Sequence, residues 1–394
     1  MSFRSTDLRQ LMGEALVPGI ALAIVRDGRL VELASYGIRH VRSPLWVDEF
    51  TVFDAASLSK PVFAYLVLQL VDEGKVNLHT LLASCLPDYI SDDPHASSIT
   101  IDHALSHSAG LPNWRSLDYP LRTYFRPGER FSYSGEGFLY LQRVIENVTG
   151  DRLDALAQRL IFEPLGMHRS SFVWEGRFQE NRAYPHDAFG TPALGYKPGE
   201  ANAAWSLQTC ASDYARFLIG VLEGSRLRKE TAQLWLRPRI HIKHRGVQCL
   251  GPSEEDFVTG VAWGLGWGLE PAAGMFFHWG DNGPFTAFTL GSLERRAALV
   301  AFTNGASGLS IMPEIVAEFA PGKRPSLEWL DYVRHGAPVR RMLRIALARG
   351  AETAWPEIEN AALKPEELMW IAQGLNARGR EKESQWLRER VGAR

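Results

Sequence analysis

The sequence predicts an α/β protein of the α+β type, in which a mainly antiparallel sheet is flanked by helices and accompanied by a helical domain. Three observations lead to this fold class. Strand-like runs occur near the N-terminus and again late in the chain, a helix-rich section separates them, and an Arg-, Glu- and Ala-rich helical pattern follows. One sheet assembled from both ends of a domain, with helices inserted between its strands, explains this order. We therefore expect a main domain over residues 1–324, with a helical insertion at about 75–250, and a C-terminal helical extension over 325–394.

The first elements are a helix and a hairpin. The stretch "MSFRSTDLRQLMGEALVPG" has apolar residues at helical spacing and ends at Pro18-Gly19. After it, "GIALAIVRDGRLVELASYG" predicts two strands that turn at Asp27-Gly28, a strong hairpin signal. The run "VFAYLVLQLVDEG" then predicts a helix over residues 57–73, with Pro61 in its first turn, where no backbone N–H is needed.

The late strands and the C-terminal extension complete the predicted fold. The strand-like runs are "WGLGWGLE", "GMFFHWG", "FTAFTLGSL" and "AALVAFTN", and a helix over about 311–320 follows them. In the extension, "KPEELMWIAQGLNARGREKESQWLRERV" predicts a helix–turn–helix. Two such amphipathic helices could also pair between copies, so a homo-oligomer is possible.

Composition excludes several classes of function. The net charge of −2 over 394 residues gives no electrostatic footprint for nucleic acid or an anionic membrane. The three cysteines are odd in number and widely spaced, which predicts neither a disulfide framework nor a thiolate zinc site. No apolar run has the length of a membrane span and the first helix does not have the pattern of a signal peptide, so we expect a cytoplasmic protein.

The first motif with chemical content is "SLSK", in which Lys60 stands three residues after Ser57. On a helix these residues share one face. A lysine in the first turn opposes the positive end of the helix dipole, and desolvation there would make it a base beside a hydroxyl. The alternative is a helix-capping serine followed by a solvated lysine, and this motif alone leaves both interpretations open.

The order of four segments along the chain favours the catalytic interpretation of "SLSK" over the structural one. "SLSK" is followed by "LSHSAGLPNW", by "PGERFSYSGEGFLYLQRVIENVTG" running into "IFEPLGM", and last by "HWGDNGPF" between strand-like runs. At these residues, and over about residues 5–320, the sequence resembles the serine β-lactamase and penicillin-binding protein superfamily. The likeness is greatest to its class-C-like branch, which includes family VIII carboxylesterases and D-aminopeptidases. The resemblance implies a β-lactamase/transpeptidase-like fold.

The resemblance also implies catalytic roles. Ser57 corresponds to the nucleophile and Lys60 to the base of the S-x-x-K motif, and Tyr133 to the tyrosine of the Y-x-N motif. A serine hydroxyl needs a neighbouring base to become a nucleophile, and the tyrosine would protonate the leaving group. The implied oxyanion hole consists of the backbone N–H groups of Ser57 and Asp281. His278-Trp279-Gly280 stands where other members have K-T-G or a related triplet, which implies substrate binding.

Several single residues keep a structural alternative. Tyr133 and His278 could be packing residues, and His107 is expected to brace a loop through hydrogen bonds. Trp114 is predicted to contact substrate, with a place in the core as the alternative. Tyr119, Trp263 and Trp267 could line the pocket or belong to the core. His241 and His244 would face opposite sides of a strand, so neither a metal nor another cofactor is predicted.

One departure from the motifs concerns substrate choice. Gly135 occupies the third position of Y-x-N, so the side-chain amide used for amide and β-lactam substrates is missing. We therefore predict a serine hydrolase that forms a Ser57 acyl-enzyme, with a small ester as substrate. The alternatives are a D-amino-acid peptidase, amidase or acyltransferase that uses the same residues. A weak β-lactamase activity could accompany any of these reactions. A non-catalytic ligand-binding protein of this fold is a further alternative.

Overall fold

The computed structural model describes residues 5–252 and 257–392. Within these ranges eleven strands are present, most of them short away from the centre of the sheet. They are β1 Gly19–Arg26, β2 Arg29–His40, β3 Ser43–Trp46, β4 Phe53–Asp54, β5 Gln208–Thr209, β6 Ile240–His241, β7 Ala262–Trp263, β8 Gly268–Glu270, β9 Met275–Asp281, β10 Thr286–Ser292 and β11 Ala297–Thr303.

The α-helices of the same ranges lie mostly between β4 and β6 and after β11. They are α1 Ser5–Ala15, α2 Ser59–Asp72, α3 Leu82–Cys85, α4 Ile101–Leu105, α5 Gly135–Thr149, α6 Leu153–Ala157, α7 Glu163–Leu165, α8 Ala211–Glu223, α9 Lys229–Trp235, α10 Met312–Phe319, α11 Pro325–Leu330, α12 Pro338–Arg349, α13 Ala351–Asn360, α14 Pro365–Ala377 and α15 Glu381–Gly392.

The described strands form one nine-stranded antiparallel sheet and a separate β4–β5 pair. The sheet order is β3-β2-β1-β11-β10-β9-β8-β7-β6, so the first hairpin joins the late strands through β1 and β11. Ile20 opposes Thr303 and Arg26 opposes Ala297 in that pairing. The predicted fold class is confirmed, and with it the assembly of one sheet from distant parts of the chain.

Strand β1 shows why the sheet lies at the centre of the main domain. Its residues are buried on both faces, because helices cover each side. Ala21, Ala23 and Val25 belong to a core cluster shared with α2 and α8. Ile20 and Leu22, on the other face, belong to a second cluster shared with α1 and α10. Period-two alternation therefore distributes β1 between two cores.

The C-terminal extension is helical, as predicted. Helices α12–α15 bury their apolar residues in a cluster of their own, against which Leu16 and Phe189 of the main domain pack. The predicted helix–turn–helix corresponds to α14 and α15. Helix α11 differs from the others, because its Trp329 packs into the second core cluster of the sheet. Among the described residues no helix combines the length and apolarity needed to cross a bilayer.

Candidate active site

Ser57 lies in a short 3₁₀ turn, Ala56–Leu58, that leads into α2. Ala56 has a φ of 49°, an unfavourable conformation for a residue with a side chain. The buried carboxylate of Asp54 stabilises this turn: it accepts the backbone N–H of Ala56 at 2.8 Å and the side-chain amide of Asn282 at 3.0 Å. Burial raises the pKa of Asp54 to about 6. The turn that carries Ser57 is thus connected directly to the end of β9.

Lys60 is buried at the start of α2 beside the candidate nucleophile. Its Nζ lies 3.1 Å from Ser57 Oγ and 2.8 Å from the backbone oxygen of Ala204, and the residue is 1% exposed. Burial lowers the pKa of Lys60 well below the usual value. A neutral amine can donate to Ala204 and accept the Ser57 proton, so the geometry suits a base.

Tyr133 completes the group of predicted catalytic side chains. Lys60 Nζ lies 4.6 Å from the centre of the Tyr133 ring. The Tyr133 hydroxyl is buried and makes no hydrogen bond of good geometry among the described residues. Burial raises the pKa of Tyr133, while the nearby Ser57 hydroxyl acts in the opposite direction. The phenol therefore keeps its proton at neutral pH and is available to donate it.

His107 braces the segment that carries Tyr133. Its Nδ1 accepts the backbone N–H of Ser134 at 2.9 Å, and its ring lies 4.3 Å from the Tyr133 ring. Burial lowers the pKa of His107 well below its usual value, so the ring is neutral and can accept this hydrogen bond. The structure agrees with the bracing role expected from the sequence.

Strand β9 approaches the nucleophile turn at Gly280. A Cβ at this position would lie 2.5 Å from the backbone oxygen of Ala55 and 3.1 Å from the Ala56 Cβ. Only glycine permits this separation, which places the following residue, Asp281, beside the turn. The assignment of the Ser57 and Asp281 N–H groups to an oxyanion hole stays a prediction, and Gly280 is the residue that would allow it.

His278 and Trp279 surround Tyr133 from β9. His278 is 0% exposed, its Nδ1 lies 2.7 Å from the backbone oxygen of Trp279, and its Nε2 has no partner among the described residues. Burial lowers the pKa of His278 to about 3, so the ring is neutral. The Trp279 ring lies 4.8 Å from that of Tyr133. His278 therefore faces Tyr133 and not bulk solvent, and its contact with substrate stays a prediction.

Gly135 lies under the indole of Trp114. A Cβ at Gly135 would lie 2.6 Å from the Trp114 ring. The ring therefore fills the space that a side chain at position 135 would need. The backbone N–H of Gly135 donates to Asn113 Oδ1 at 2.9 Å. A carboxamide is therefore present beside the position where the Y-x-N amide is missing, but it comes from a different segment.

Of the other aromatic residues considered as pocket walls, two are buried and one is exposed. Trp263 is fully buried and packs against His107, Tyr133 and His278, so it supports the site from behind. Trp267 is also fully buried, in the main core cluster. Tyr119 is half-exposed on a surface loop.

A separate cleft of about 890 Å³ contains none of the predicted catalytic residues. Its lining includes the cationic side chains of Arg126, Arg130, Arg239 and Lys243. Arg130 is already engaged by backbone oxygens of Leu250 and Gly251. This cleft is therefore distinct from the place where Ser57, Lys60 and Tyr133 come together.

Three contributions to the site were not predicted from the sequence. Asp54 and Asn282 tie the nucleophile turn to β9, and the carbonyl of Ala204 holds Lys60. The "FDAASLSK" and "GDN" stretches contain the first two residues, but only the fold reveals that they touch. The sequence contains no signal for the role of Ala204, because its contact with Lys60 is made by the backbone oxygen, which every residue has.

Ser57, Lys60 and Tyr133 lie together beside a sheet assembled from distant parts of the chain, an arrangement that suits acyl transfer through a serine. A family model described as Beta-lactamase matches residues 5–314, so the chain belongs to this family, whose members are enzymes of the serine-hydrolase type. "Penicillin-binding protein 4" of Amycolatopsis lactamdurans is 28% identical over 332 residues, covering 78% of this chain and 86% of that protein. "Protein flp" of Staphylococcus aureus is 22% identical over 312 residues, which are 73% of this chain and 60% of that protein.

Two solved structures show the same fold. The octameric penicillin-binding protein homologue from Pyrococcus abyssi superposes with a TM-score of 0.68 at 22% identity, covering 86% of this chain and 80% of that one. D-alanine carboxypeptidase AmpC from Burkholderia cenocepacia superposes with a TM-score of 0.65 at 16% identity, covering 80% of this chain and 97% of that one. At these identities the likeness concerns the fold.

Proposed function

We propose that this protein is a serine hydrolase that forms an acyl-enzyme on Ser57 and acts mainly on small carboxylic esters. The observation that carries the proposal is the 3.1 Å contact between Lys60 Nζ and Ser57 Oγ in a buried setting. Because burial favours the neutral amine and the protonated phenol, Lys60 suits the base and Tyr133 suits the acid.

The proposed reaction proceeds in two acyl-transfer steps. Ser57 Oγ attacks the ester carbonyl while its proton passes to Lys60, and two backbone N–H groups stabilise the tetrahedral oxyanion by roughly 3–4 kcal/mol each. The C–O bond then breaks, and the alcohol leaves with a proton from Tyr133, which regains one from Lys60. Water repeats the sequence on the acyl-enzyme, which releases the acid and free Ser57.

The preference for esters rests on Gly135. An ester requires the nucleophile and the oxyanion hole, whereas an amide or β-lactam substrate gains from a polar anchor for its amide group. We expect kcat/KM for p-nitrophenyl butyrate to exceed that for nitrocefin by at least about a hundredfold, or ~2.7 kcal/mol. Equal or faster nitrocefin turnover would contradict the ester proposal.

Covalent labelling tests the nucleophile independently of the substrate. A fluorophosphonate should add one adduct to the wild-type protein, detected by intact mass and located at Ser57 by peptide mapping. The Ser57→Ala variant, with unchanged circular dichroism, should take up none. A folded wild-type protein that is not labelled would favour the non-catalytic binding protein.

An amidase or D-amino-acid peptidase is the second candidate, and the Asn113 carboxamide beside Gly135 favours it. The Burkholderia cenocepacia neighbour is described as a D-alanine carboxypeptidase, which supports testing this class. If Asn113 replaces the missing amide, D-alanyl p-nitroanilide should be cleaved, and Asn113→Ala should reduce that activity more than ester hydrolysis.

Self-association through the C-terminal helices stays a prediction. The Pyrococcus abyssi homologue is described as octameric. In this chain α12–α15 bury their apolar residues against one another, so contact between copies would use their outer, polar faces. Light scattering after size exclusion tests this on the full chain.

A further inference from the structure

We propose that residues 325–332, here called the tail wall, form one side of a nonpolar subsite for the leaving alcohol of the substrate. This inference rests on the proposed function and adds a substrate class to it. No part in the site was predicted for the C-terminal extension, because none of the matched motifs lies within it.

The tail wall is fixed to the sheet by a buried carboxylate. Glu270, at the end of β8, is 1% exposed and accepts the backbone N–H of Ser326 at 3.1 Å and its hydroxyl at 2.6 Å. The guanidinium of Arg324 lies 3.0 Å from the same carboxylate. Trp329, 6% exposed, packs 5.8 Å from the ring of Trp279. The segment is therefore held in place by several buried contacts.

The end of the tail wall contacts Asp281, the last residue of β9. Tyr332 donates its hydroxyl to Asp281 Oδ2 at 3.0 Å, and Asp281 is the residue whose N–H is predicted to bind the oxyanion. The other carboxylate oxygen of Asp281 accepts the N–H of Gly283 at 2.9 Å. Tyr332 thus stands at the edge of the site and helps to position Asp281.

A cavity of about 450 Å³ lies between the tail wall and residues 245–247 and 257–259. Its nonpolar lining includes Val247, Phe257, Trp279, Trp329, Leu330 and Tyr332. Cavities of about 300 Å³ and above hold small organic groups, and burying such a group against these side chains is favourable.

The position of Tyr133 indicates which part of the substrate enters. The backbone N–H of Tyr133 donates to the oxygen of Val247 at 2.9 Å, and Trp279 lies 4.8 Å from the Tyr133 ring. Both Val247 and Trp279 line the cavity. Because Tyr133 would protonate the leaving oxygen, and Trp279 contacts the Tyr133 ring and lines the cavity, we assign the cavity to the group attached to that oxygen.

The charges of the lining favour an uncharged alcohol. Arg245 is the one cation of the described lining, and Glu328 and Asp331 are its anions. Arg245 lies over the ring of Phe257, 4.7 Å from its centre. Glu328 lies 4.0 Å from Lys323 outside the lining, and Asp331 balances Arg245, so the lining offers a carboxylate no net positive charge. We therefore assign the cavity to neutral, nonpolar alcohols such as benzyl or hexyl alcohol.

Two series of esters test this assignment on the full chain. The alcohol series consists of ethyl, hexyl and benzyl acetate followed by pH-stat, and the acyl series of p-nitrophenyl acetate, butyrate and octanoate. We expect Tyr332→Ala and Leu330→Ala to lower the preference for benzyl over ethyl acetate by about tenfold in kcat/KM, with ratios in the acyl series unchanged. Tyr332→Phe, which keeps the ring, should retain the preference and lower kcat equally for all esters.

The controls separate this proposal from the previous one. Val333→Ala changes an exposed neighbour outside the lining, and Trp46→Ala changes an exposed aromatic residue on the far edge of the sheet. Both should behave like wild type. Fluorophosphonate labelling of every variant shows that Ser57 is intact. A labelled Tyr332→Ala variant with an unchanged alcohol preference, or with a changed acyl preference instead, would contradict the alcohol subsite at the tail wall and leave the proposed function standing. Failure to label the wild type would overturn both proposals.

Discussion

Lys60 Nζ lies 3.1 Å from Ser57 Oγ and 2.8 Å from the backbone oxygen of Ala204, and burial is the cause of its lowered pKa. The pair is thus arranged so that an uncharged amine faces a hydroxyl. This relationship leads to the first prediction.

Activity should depend on the deprotonation of Lys60. Since its pKa is lowered, kcat/KM should rise with pH on a limb well below the ~10.4 of a free lysine. Lys60→Arg keeps the charge but supplies no neutral base, and should lose at least about a thousandfold in kcat/KM. Steady-state rates with p-nitrophenyl butyrate between about pH 5 and 10 measure both effects. Lys229→Arg, on an exposed helix start, is the matched control. An active Lys60→Arg variant would indicate that Tyr133, and not Lys60, is the base.

The second prediction concerns the approach of β9 to the nucleophile turn. Gly280→Ala places a methyl group 2.5 Å from the backbone oxygen of Ala55, so one of the two segments must shift. Because the shift displaces Asp281 from Ser57, we expect kcat to fall at least about a hundredfold, consistent with loss of an oxyanion donor. Gly176→Ala, where nothing lies within 4 Å, is the control and should keep full activity. Normal turnover by Gly280→Ala would argue against an oxyanion hole at Asp281.

The third prediction concerns the missing amide. Gly135→Asn alone should be poorly folded, because its Cβ would lie 2.6 Å from the Trp114 ring. Removing that ring as well, in a Trp114→Ala/Gly135→Asn double variant, leaves the Asn113 backbone oxygen, 2.9 Å from that Cβ, as its nearest contact among the described residues. Relative to Trp114→Ala, this variant should narrow the gap between p-nitrophenyl butyrate and nitrocefin by about tenfold in kcat/KM. An unchanged gap would mean that the amide does not decide substrate choice.

The fourth prediction concerns stability in acid. The pKa of His278 falls from 6.5 in the unfolded chain to about 3 in the folded protein, so below 6.5 the unfolded state binds more protons. Stability from this residue is complete above pH 6.5 and is lost as the pH falls toward 3. Between about pH 7 and 5 the loss amounts to about 2 kcal/mol.

Urea denaturation of the wild type and of His278→Gln at about pH 7 and pH 5 measures the contribution of His278 to the free energy of unfolding. Asp54, with its pKa raised to about 6, acts in the opposite direction over the same range, so the comparison between variants isolates His278. The His278→Gln protein should lose less stability on acidification. Equal losses would show that His278 is protonated in the folded state.

Much of the fold and part of the site followed from local patterns in the sequence. Alternation and the Asp27-Gly28 turn predicted the first hairpin, because the period of two and a left-handed turn are local properties. The Ser57–Lys60 contact also followed, although the predicted helix over 57–73 starts as a 3₁₀ turn at Ala56–Leu58, because residues three apart share a face in a 3₁₀ turn and in an α-helix. The order of motifs along the chain was sufficient for the family.

The tertiary structure decided what those residues experience. Burial of Lys60, Tyr133 and His278 depends on segments far away in the chain, and no local pattern states how much water reaches a side chain. The contact of Asp54 with Asn282 joins residues 228 positions apart.

The tail wall is the clearest case of this difference. Along the sequence Tyr332 belongs to a helical extension, but in the fold it donates a hydrogen bond to Asp281 at the edge of the site. Local periodicity predicted the helices of that extension, because their hydrogen bonds form within a few residues. Its docking on the site depends on Glu270 and Trp279, which only chain folding brings next to it.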